Sequence, residues 1–465
     1  MSLPVITTGD RVGVCRQVAQ LALDCLGPGG RLKALQAAPD TPASVLTSTS
    51  GPLFQGIRAD SAFKQLLFSG TAVAQHAEFG DGGLMSITLA SRLIQAVLER
   101  CRSRRELYEA SATLELIGNR LLDALSHGAE GLARIPCTSL SQYLALTRGV
   151  LVPKLSRVLD AEELEHLVLT VTEAFVSSLP SSAPAEGPAA GGSAAAGSRV
   201  MVHCLRGAAV ADSRVLQGVL LQAADLPEEA LDLLGMAAGG EAEEEAAAES
   251  VEVGVLLLAC SLDTHRNQYN SADVGGGAGA APARGVALVE EQREELAPGE
   301  AEAAELDGLV ASLEPLLEPG RNIRLVACQK GIHPAAQEWL LARGVVPCQR
   351  LGAARLAALA TLAGCAPLET LLGAPSARNL ADIGYSRLQM QSVVISGQQL
   401  VYMLPAGSTV QAAGPITTLL LGCTSDAVAD HLRPNAEAAL KLLKATMLQD
   451  PVAIKGAGMA EQRAP

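Results

Sequence analysis

CLGPGGRLKAL, at residues 25–35, ends a helical pattern with four residues in a row that a helix does not tolerate, Gly27-Pro28-Gly29-Gly30. The apolar positions before this stretch repeat at helical spacing from Val14 to Ala22. Proline fixes its own φ angle, whereas the glycines leave the backbone free to turn. On its own, the stretch therefore predicts an ordinary helix stop.

Two further segments share this glycine-rich character. Residues 79–84 read FGDGGL, and residues 455–461 read KGAGMAE. Asp81 lies between glycines, a common place for a turn residue. Each segment is weak evidence by itself, and their order along the chain gives them their weight.

The composition excludes several classes of protein. The chain has 465 residues, a formal net charge of −14 and only 2% aromatic residues. Two or three domains are expected, because single cores rarely grow beyond roughly 250–300 residues. Nucleic acid is not expected as a partner, because no basic stretch alternates with aromatic residues.

Hydropathy and cysteine usage predict a soluble cytoplasmic protein. No apolar run approaches the roughly 18 residues of a membrane span, and Asp10 and Arg11 interrupt any signal-peptide core. Neither secretion nor membrane insertion is therefore expected. The ten cysteines stand singly, without a CxxC pair or a Cys/His cluster, which predicts reduced thiols and argues against a zinc site. His333, before Pro334, is predicted to cap a helix rather than to bind a metal.

The hydrophobic periodicity divides the chain into a helical part and a later α/β part. Helices are predicted at residues 84–100, 106–125, 161–179, 334–342, 353–362 and 435–448. Strand-like apolar runs occupy residues 216–221, 251–260, 323–327, 344–347, 393–404 and 417–421. Residues 180–198 are too poor in apolar side chains to fold and are predicted to be a linker or insertion. Residues 235–250 and 274–305 are low-complexity and are expected to be mobile.

Taken together in this order, the three glycine-rich segments resemble the nucleotide loops of type II chaperonins. Residues 25–35 resemble the LGPxGxxKxL phosphate loop, residues 79–84 the GDGTT loop and residues 455–461 the GGGAxE motif. Further similarities to the family are ADSRVLQGV at 211–219, CQKGI at 328–332 and TTLLLG at 417–422. The resemblance covers nearly the whole chain, and it is strongest to the divergent, CCT/TRiC-like branch associated with McKusick-Kaufman and Bardet-Biedl syndromes.

The resemblance implies an α/β multidomain fold, that of a GroEL-like type II chaperonin subunit with equatorial, intermediate and apical domains. The implied divisions are 1–127 (first equatorial part), 128–205 (first intermediate segment, with the insertion 180–198), 206–372 (apical, client-binding), 373–450 (second intermediate segment) and 451–465 (start of the equatorial return). The family continues past this last loop, so the resemblance predicts a C-terminally truncated equatorial domain, a short isoform or an incomplete gene model. A lid is not expected, because residues 274–281, VGGGAGAA, would not hold a helix.

The resemblance also implies a nucleotide site. In the family, backbone amides of the first loop hold the ATP phosphates, and an aspartate corresponding to Asp81 holds Mg²⁺. The residues that the resemblance assigns to nucleotide binding are Gly27, Pro28, Gly29, Gly30, Asp81, Gly82, Gly83, Gly456 and Gly458. ATP with Mg²⁺ is thus an optional cofactor, and no residue is assigned to client binding.

The departures from the family pattern predict that hydrolysis is lost. Gly83 and Leu84 stand where the family has paired threonines, and Ser50 stands where it has the aspartate of an NDG loop. Ala438 occupies the position of the hydrolytic aspartate, so no catalytic residue is assigned. Glu437, one position away, lies about 100° around the helix and is a poor substitute.

The resemblance then implies an assembly chaperone that hydrolyses little or no ATP. Its clients would be subunits of the BBSome, a complex of cilium biogenesis, and its partners would be sister Bardet-Biedl chaperonin-like subunits and the CCT/TRiC chaperonin. Cytoplasm, centrosome and ciliary basal body are the implied locations. The alternatives are an active ATP-dependent subunit of a CCT-like ring, which the retained Gly27, Asp81 and Gly456 favour, and an inert product of a truncated gene.

Overall fold

The structure is a computed structural model. It describes residues 8–27, 29–36, 45–127, 134–179, 199–222, 226–227, 229–234, 251–263, 298–317, 322–371, 384–405, 416–448 and 452–454. The chain divides into two compact units. We call Met1–Ser177, Val202–Val215 and Leu419–Pro465 the helical unit, and Ser178–Met201 and Leu216–Thr418 the sheet unit.

The secondary structure alternates between the two element types along the second half of the chain. The helices are α1 (Thr8–Asp24), α2 (Ser50–Gly56), α3 (Ala62–Leu67), α4 (Ala74–Phe79), α5 (Gly83–Arg100), α6 (Arg104–His127), α7 (Leu140–Leu155), α8 (Ala161–Ser177), α9 (Ala230–Leu234), α10 (Pro298–Leu313), α11 (Pro334–Leu341), α12 (Gly352–Ala363) and α13 (Asp426–Leu448). The strands are β1 (Lys33–Leu35), β2 (Val45–Thr47), β3 (Arg134–Pro136), β4 (Val200–Arg206), β5 (Arg214–Gln217), β6 (Val219–Gln222), β7 (Val251–Leu258), β8 (Ile323–Cys328), β9 (Val346–Cys348), β10 (Tyr385–Ile395), β11 (Gln398–Pro405), β12 (Thr417–Cys423) and β13 (Val452–Ile454). A π-helical turn, Phe68–Val73, joins α3 to α4.

The helical unit is built on an antiparallel pair, α1 and α5. The buried face of α1 carries Cys15, Val18, Ala19 and Ala22, which is the spacing of one helix face. Midway along α1, Arg16 pairs with Glu99, near the end of α5, at 3.5 Å. At the other end, Cys25 and Leu84 share one apolar cluster. The loop that follows α1 and the loop that precedes α5 therefore lie at the same end of the pair.

Helix α13 crosses this unit and packs against α7. Its buried face includes Leu432, Ala436, Ala439 and Leu443, again at helical spacing. Its first turns were not predicted, because the sequence pattern placed the start of the helix at Asn435. The unit also contains the antiparallel pairs β1–β2 and β3–β13.

The sheet unit is built around six strands in the order β6-β11-β10-β7-β8-β9. The pairs β7–β8 and β8–β9 are parallel, and the remaining neighbours are antiparallel. Successive residues of β7 enter opposite cores: Val255 and Leu257 pack with α12, whereas Leu256 and Leu258 pack with α10 and α11. Burial on both faces explains why β7 reads as a continuous apolar run. The strands β4, β12 and β5 form a separate three-stranded sheet in that order.

The sheet extends past residue 372, the predicted end of the apical domain. Strands β10 and β11 belong to it because β10 pairs with β7 from Tyr385 to Met390. The predicted single run at 393–404 is a hairpin, which turns at Ser396 and Gly397 with positive φ angles of 49° and 72°. The predicted run at 216–221 is likewise broken, by Gly218 at a φ of 96°. The three-part division into equatorial, intermediate and apical segments stays a prediction.

Other expectations meet the structure only in part. The segments 180–198 and 235–250 lie outside the described residues, as does most of 274–305. From residue 298, the end of that last segment is the start of α10, which is rich in alanine and glutamate, both good helix formers. His333 caps α11 as predicted: its Nδ1 accepts a hydrogen bond from the Ala335 amide at 3.3 Å. None of the helices that the structure describes combines the length and apolar composition of a membrane span.

Candidate nucleotide site

The first glycine loop folds back onto the end of α1. Gly27 has a left-handed φ of 73°, and a Cβ built on Gly30 would lie 2.3 Å from the Cys25 carbonyl oxygen, so both positions require glycine. The Gly30 amide donates to the Gly27 carbonyl at 2.9 Å, and the Arg31 amide donates to the Asp24 carbonyl at 2.7 Å. These two amides are used within the chain, so the loop offers a phosphate fewer donors than the resemblance implies. Pro28 lies outside the described residues.

The turn that follows α7 connects this loop to the second one. Arg157 donates from Nη2 to the Gly29 carbonyl at 3.2 Å. One helical turn earlier, Lys154 donates from Nζ to Asp81 Oδ1, also at 3.2 Å. The structure thus brings Gly29 and Asp81, two of the predicted nucleotide residues, against the same short segment. Gly456 and Gly458 of the third loop lie outside the described residues.

The second loop packs directly on α13. Gly80 and Gly82 both have φ angles of 79°, the left-handed region that glycine tolerates best. A Cβ built on Gly80 would lie 2.2 Å from the carbonyl oxygen of Ala438. Ala438, the position that the resemblance assigns to the hydrolytic aspartate, is therefore beside the loop that carries Asp81. It is only 1% exposed, and its methyl group can neither accept a proton nor orient a water.

Glu437, next to Ala438, is paired on its own helix. Its Oε1 accepts a hydrogen bond from Arg433 Nε at 3.0 Å, four residues back on the same helix. The glutamate side chain is 43% exposed, as expected for a position that faces away from the buried Ala438. That Glu437 is a poor substitute for the family's aspartate stays a prediction.

At Gly83, where the family has the first of its paired threonines, no space is left for a side chain. A Cβ built on Gly83 would lie 2.3 Å from Ser50 Oγ and 2.7 Å from the carbonyl oxygen of Ala72. Ser50 is itself 2% exposed, at the position where the family has a carboxylate. The two departures from the family pattern, at residues 50 and 83, are therefore in contact and accommodate each other.

A buried polar network holds these elements together. Thr49 Oγ1 donates to Asn435 Oδ1 at 3.1 Å, and Asn435 Nδ2 donates to the His431 carbonyl at 2.7 Å. The ring Nε2 of His431 lies 3.2 Å from the carbonyl oxygen of Lys154. Burial lowers the pKa of His431 below its ordinary value, which favours the neutral ring. The network links the start of α2, α13 and the end of α7 around the second loop.

His76 adds a second half-buried histidine beside the loop. Burial is the main cause of its lowered pKa, and the positive charges of Lys441 and Lys154 lower it further. A Cβ on Gly51 would lie 2.1 Å from the His76 ring, so the ring rests directly on the start of α2. Two lysines thus lie within electrostatic reach of a site whose one assigned carboxylate is Asp81.

The residues that the structure describes do not fit a resident Mg²⁺ ion. Magnesium demands near-octahedral oxygen ligands, which proteins supply as one or two carboxylates together with substrate phosphates and waters. Asp81 is already paired with Lys154, and the second family position is Ser50, buried against Gly83. Within the described ranges, no three His, Cys, Asp or Glu side chains come together as a metal site. The arrangement fits an anion better than a cation.

Sequence reasoning missed Lys154, Asn435, His431 and His76. Lys154 lies in α7, a helix that the periodicity did not predict because Gly149 and Pro153 interrupt it. A signal was nevertheless present: Lys154 is the single charged residue of the apolar stretch GVLVPKL at 149–155. The other three are polar residues on otherwise apolar helix faces, a pattern that does not reveal a distant partner.

Comparisons with known proteins extend over almost the whole chain. Residues 18–464 match the TCP-1/cpn60 chaperonin family. The molecular chaperone MKKS of Mus musculus is 25% identical over 449 residues, 94% of this chain and 66% of the relative. The Homo sapiens protein of the same name is 24% identical over 459 residues, 98% of this chain and 70% of the relative. This chain therefore spans just under two thirds of the length of the mouse relative.

A solved structure supports the fold independently. The crystal structure of a group III chaperonin in the open state aligns with a TM-score of 0.55 over 94% of this chain and 74% of that chain. The sequence identity in that alignment is 15%, so the likeness shows the fold alone. The predicted chaperonin fold and the predicted family resemblance are both confirmed.

Proposed function

Because the chain belongs to the TCP-1/cpn60 chaperonin family, we propose that it is a chaperonin-type assembly chaperone that hydrolyses little or no ATP. The similarity to proteins named molecular chaperone supports the first half of the proposal. The geometry of the candidate nucleotide site supports the second half.

The observation that carries the loss of hydrolysis is the contact between Gly80 and Ala438. Phosphoryl transfer to water depends on groups that position the nucleophile and stabilise the developing charge. At the position of the family's hydrolytic aspartate, the backbone of Ala438 packs on Gly80 of the Asp81 loop, and the buried side chain is a methyl group without a carboxylate. Removing one such group typically costs on the order of 3–4 kcal/mol of transition-state stabilisation.

The packing of Gly83 on Ser50 supports the same proposal. The threonine hydroxyl that would contact the terminal phosphate is missing, and Ser50 Oγ fills the space it would need. Nucleotide is therefore optional in this proposal. The α/β sheet unit would contact the clients, although no residues are assigned to those contacts. The protein would act by binding its clients and not by turning over ATP.

The partners follow from the family branch that the sequence resembles. We place BBSome subunits as clients, with sister Bardet-Biedl chaperonin-like subunits and CCT/TRiC as co-workers, in the cytoplasm and at the centrosome and ciliary basal body. The similarity to two proteins named molecular chaperone supports a chaperone role, and the specific partners and locations rest on the resemblance alone. Co-purification of the tagged chain with these partners from ciliated cells tests it, and a chain that stays soluble but recovers none of them would contradict it.

Phosphate release tests the loss of hydrolysis. The purified chain, alone and with sister subunits, should release phosphate from ATP at the background rate. The variant Asp81→Ala should show the same rate, because there is no turnover for it to remove. Robust release that disappears in Asp81→Ala would instead favour the alternative, an active subunit of a CCT-like ring.

A further inference from the structure

Asp81 and Lys154 form an ion pair in which the two partners are unequally buried. The Nζ of Lys154 lies 3.2 Å from Asp81 Oδ1, and the lysine side chain is 13% exposed whereas the aspartate side chain is 40% exposed. An ammonium group withdrawn from water keeps its charge only beside a compensating anion. In the part of the chain that the structure describes, Asp81 is the carboxylate that pairs with Lys154.

The same carboxylate is the one that a magnesium ion would need. Because Ser50 has replaced the second carboxylate and lies buried against Gly83, Asp81 would have to hold the ion as the one carboxylate among the described residues of the site. To do so it would have to give up its pairing with Lys154, whose side chain is only 13% exposed and would keep an uncompensated charge. An arriving divalent cation would also meet the unpaired charge of Lys154 a few ångströms away.

The other charges near the loop act in the same direction. Lys441 lies close enough to His76 to contribute to its lowered pKa, as does Lys154. The neighbourhood of the loop thus favours anions over cations, and free nucleotide polyphosphates carry more negative charge than their magnesium complexes. The N-terminus of α5, directly after Gly82, adds backbone amides that also favour an anion.

We propose that the Lys154 ammonium takes the place of the magnesium ion, so that the site binds a nucleoside polyphosphate as the metal-free anion. The inference rests on the proposed function only in assuming that the first two glycine loops still hold a nucleotide. Lys154 is then a specificity-determining residue. It neutralises Asp81 and leaves no vacancy for the metal that a hydrolysing site requires.

Fluorescence titration with mant-ADP, in the presence of excess Mg²⁺ or of EDTA, tests the proposal on the full chain. The wild type should bind at least as tightly in EDTA as in Mg²⁺. The variant Lys154→Met should bind about tenfold more tightly in Mg²⁺ than in EDTA, equal to about 1.4 kcal/mol, because Asp81 becomes free to share a metal with the phosphates. Asp81→Asn in the Lys154→Met background should abolish this gain.

Two further variants separate the ion pair from general charge and folding effects. Lys441→Met removes the same charge from the same neighbourhood without breaking the pair, so it should weaken binding equally with and without Mg²⁺. Lys154→Gln keeps a hydrogen-bond donor and serves if Lys154→Met fails to fold, which circular dichroism will show. It should give the same preference for Mg²⁺.

Three results would overturn the inference. Wild-type affinity about tenfold lower in EDTA than in Mg²⁺ would show that the metal site persists. Equal affinities for Lys154→Met in the two conditions would show that Lys154 does not exclude the metal. Absence of mant-ADP binding in both conditions would show that the site holds no nucleotide. The proposed loss of ATP hydrolysis would be unaffected, because phosphate release is the measurement that contradicts it.

Discussion

Replacing Gly83 with alanine should destabilise the helical unit, although the same change in a helix is usually stabilising. Alanine is favoured over glycine in a helix interior by up to about 1 kcal/mol. At Gly83, however, the new Cβ would lie 2.3 Å from Ser50 Oγ and 2.7 Å from the Ala72 carbonyl oxygen. Ser50 is 2% exposed and Ala72 is fully buried, so neither atom can move aside into solvent.

The expected magnitude follows from these two terms. Forcing an extra carbon into a packed site typically costs about 1–3 kcal/mol. After the gain in helix propensity, the net loss should be about 1–2 kcal/mol in the free energy of unfolding. For a unit of this size, each kcal/mol lowers the melting temperature by about 2–4 °C.

Urea unfolding followed by far-UV circular dichroism measures the effect, and hydrogen exchange of peptides from α5 locates it. Gly118→Ala is the matched control, because Gly118 lies inside α6 and a Cβ there would meet no heavy atom within 4 Å. That control should be neutral or stabilised by up to about 1 kcal/mol. Adding Ser50→Gly to Gly83→Ala should recover part of the loss, since it removes one of the two short contacts.

Equal stability of Gly83→Ala and Gly118→Ala would contradict this prediction. That result would mean that the start of α5 does not press on α2 and on the π-helical turn. The missing threonine would then be an open position and not a filled one, and the case for lost phosphate contacts would rest on the sequence alone.

Two more predictions concern the buried polar network. Asn435→Ala should lower the free energy of unfolding by about 1–3 kcal/mol in urea titrations, because the buried Thr49 hydroxyl loses its acceptor. An unchanged urea midpoint would mean that this hydrogen bond does not stabilise the folded state. Acid should also destabilise the unit. Burial lowers the pKa of His431 in the folded chain, so as the pH drops below the ordinary value of about 6.5 the unfolded chain binds more protons than the folded chain. The free energy of unfolding should therefore decrease as the pH decreases, by up to about 1.4 kcal/mol per pH unit. His431→Gln should flatten that dependence in the same titrations at a series of pH values.

Strong periodicity made several elements predictable. The helix predicted at 84–100 is observed as Gly83–Arg100, and the apolar run predicted at 323–327 is observed as Ile323–Cys328. Such segments are dictated locally, because one face or both faces of the element must be apolar over its whole length. Their extents could therefore be read from the sequence to within one or two residues.

Proline explains two of the larger errors. Helix α7 contains Pro153, and α13 contains Pro434, which hid the first turns of α13 from the sequence analysis. An internal proline removes one backbone hydrogen bond and costs roughly 3 kcal/mol, so a local reading ends the helix there. Burial on both sides of Pro434, at Leu432 and Ala436, offsets this cost, and burial of that kind depends on the tertiary structure.

The candidate site was predictable only where a short motif carried it. Gly27, Gly30 and Gly80 each occupy a conformation or a contact that demands glycine, so their pattern reflects a physical requirement. The partner of Asp81 could not be found in this way. Lys154 is far from it in sequence, and the pair exists only because α7 ends beside the second loop.

The losses at this site are tied to each other, and this bears on whether the chain is an idle ATPase or a different kind of chaperone. Three contacts now occupy the places of the family's catalytic groups. Ser50 fills the space at Gly83, the backbone of Ala438 packs on Gly80, and Lys154 pairs with Asp81. An aspartate restored at position 438 would place a charge in a site that is 1% exposed. A threonine restored at position 83 would collide with Ser50. Because neither of these two reversals fits the present packing, the site is better described as a rebuilt core around the Asp81–Lys154 pair than as a catalytic centre that lacks one residue.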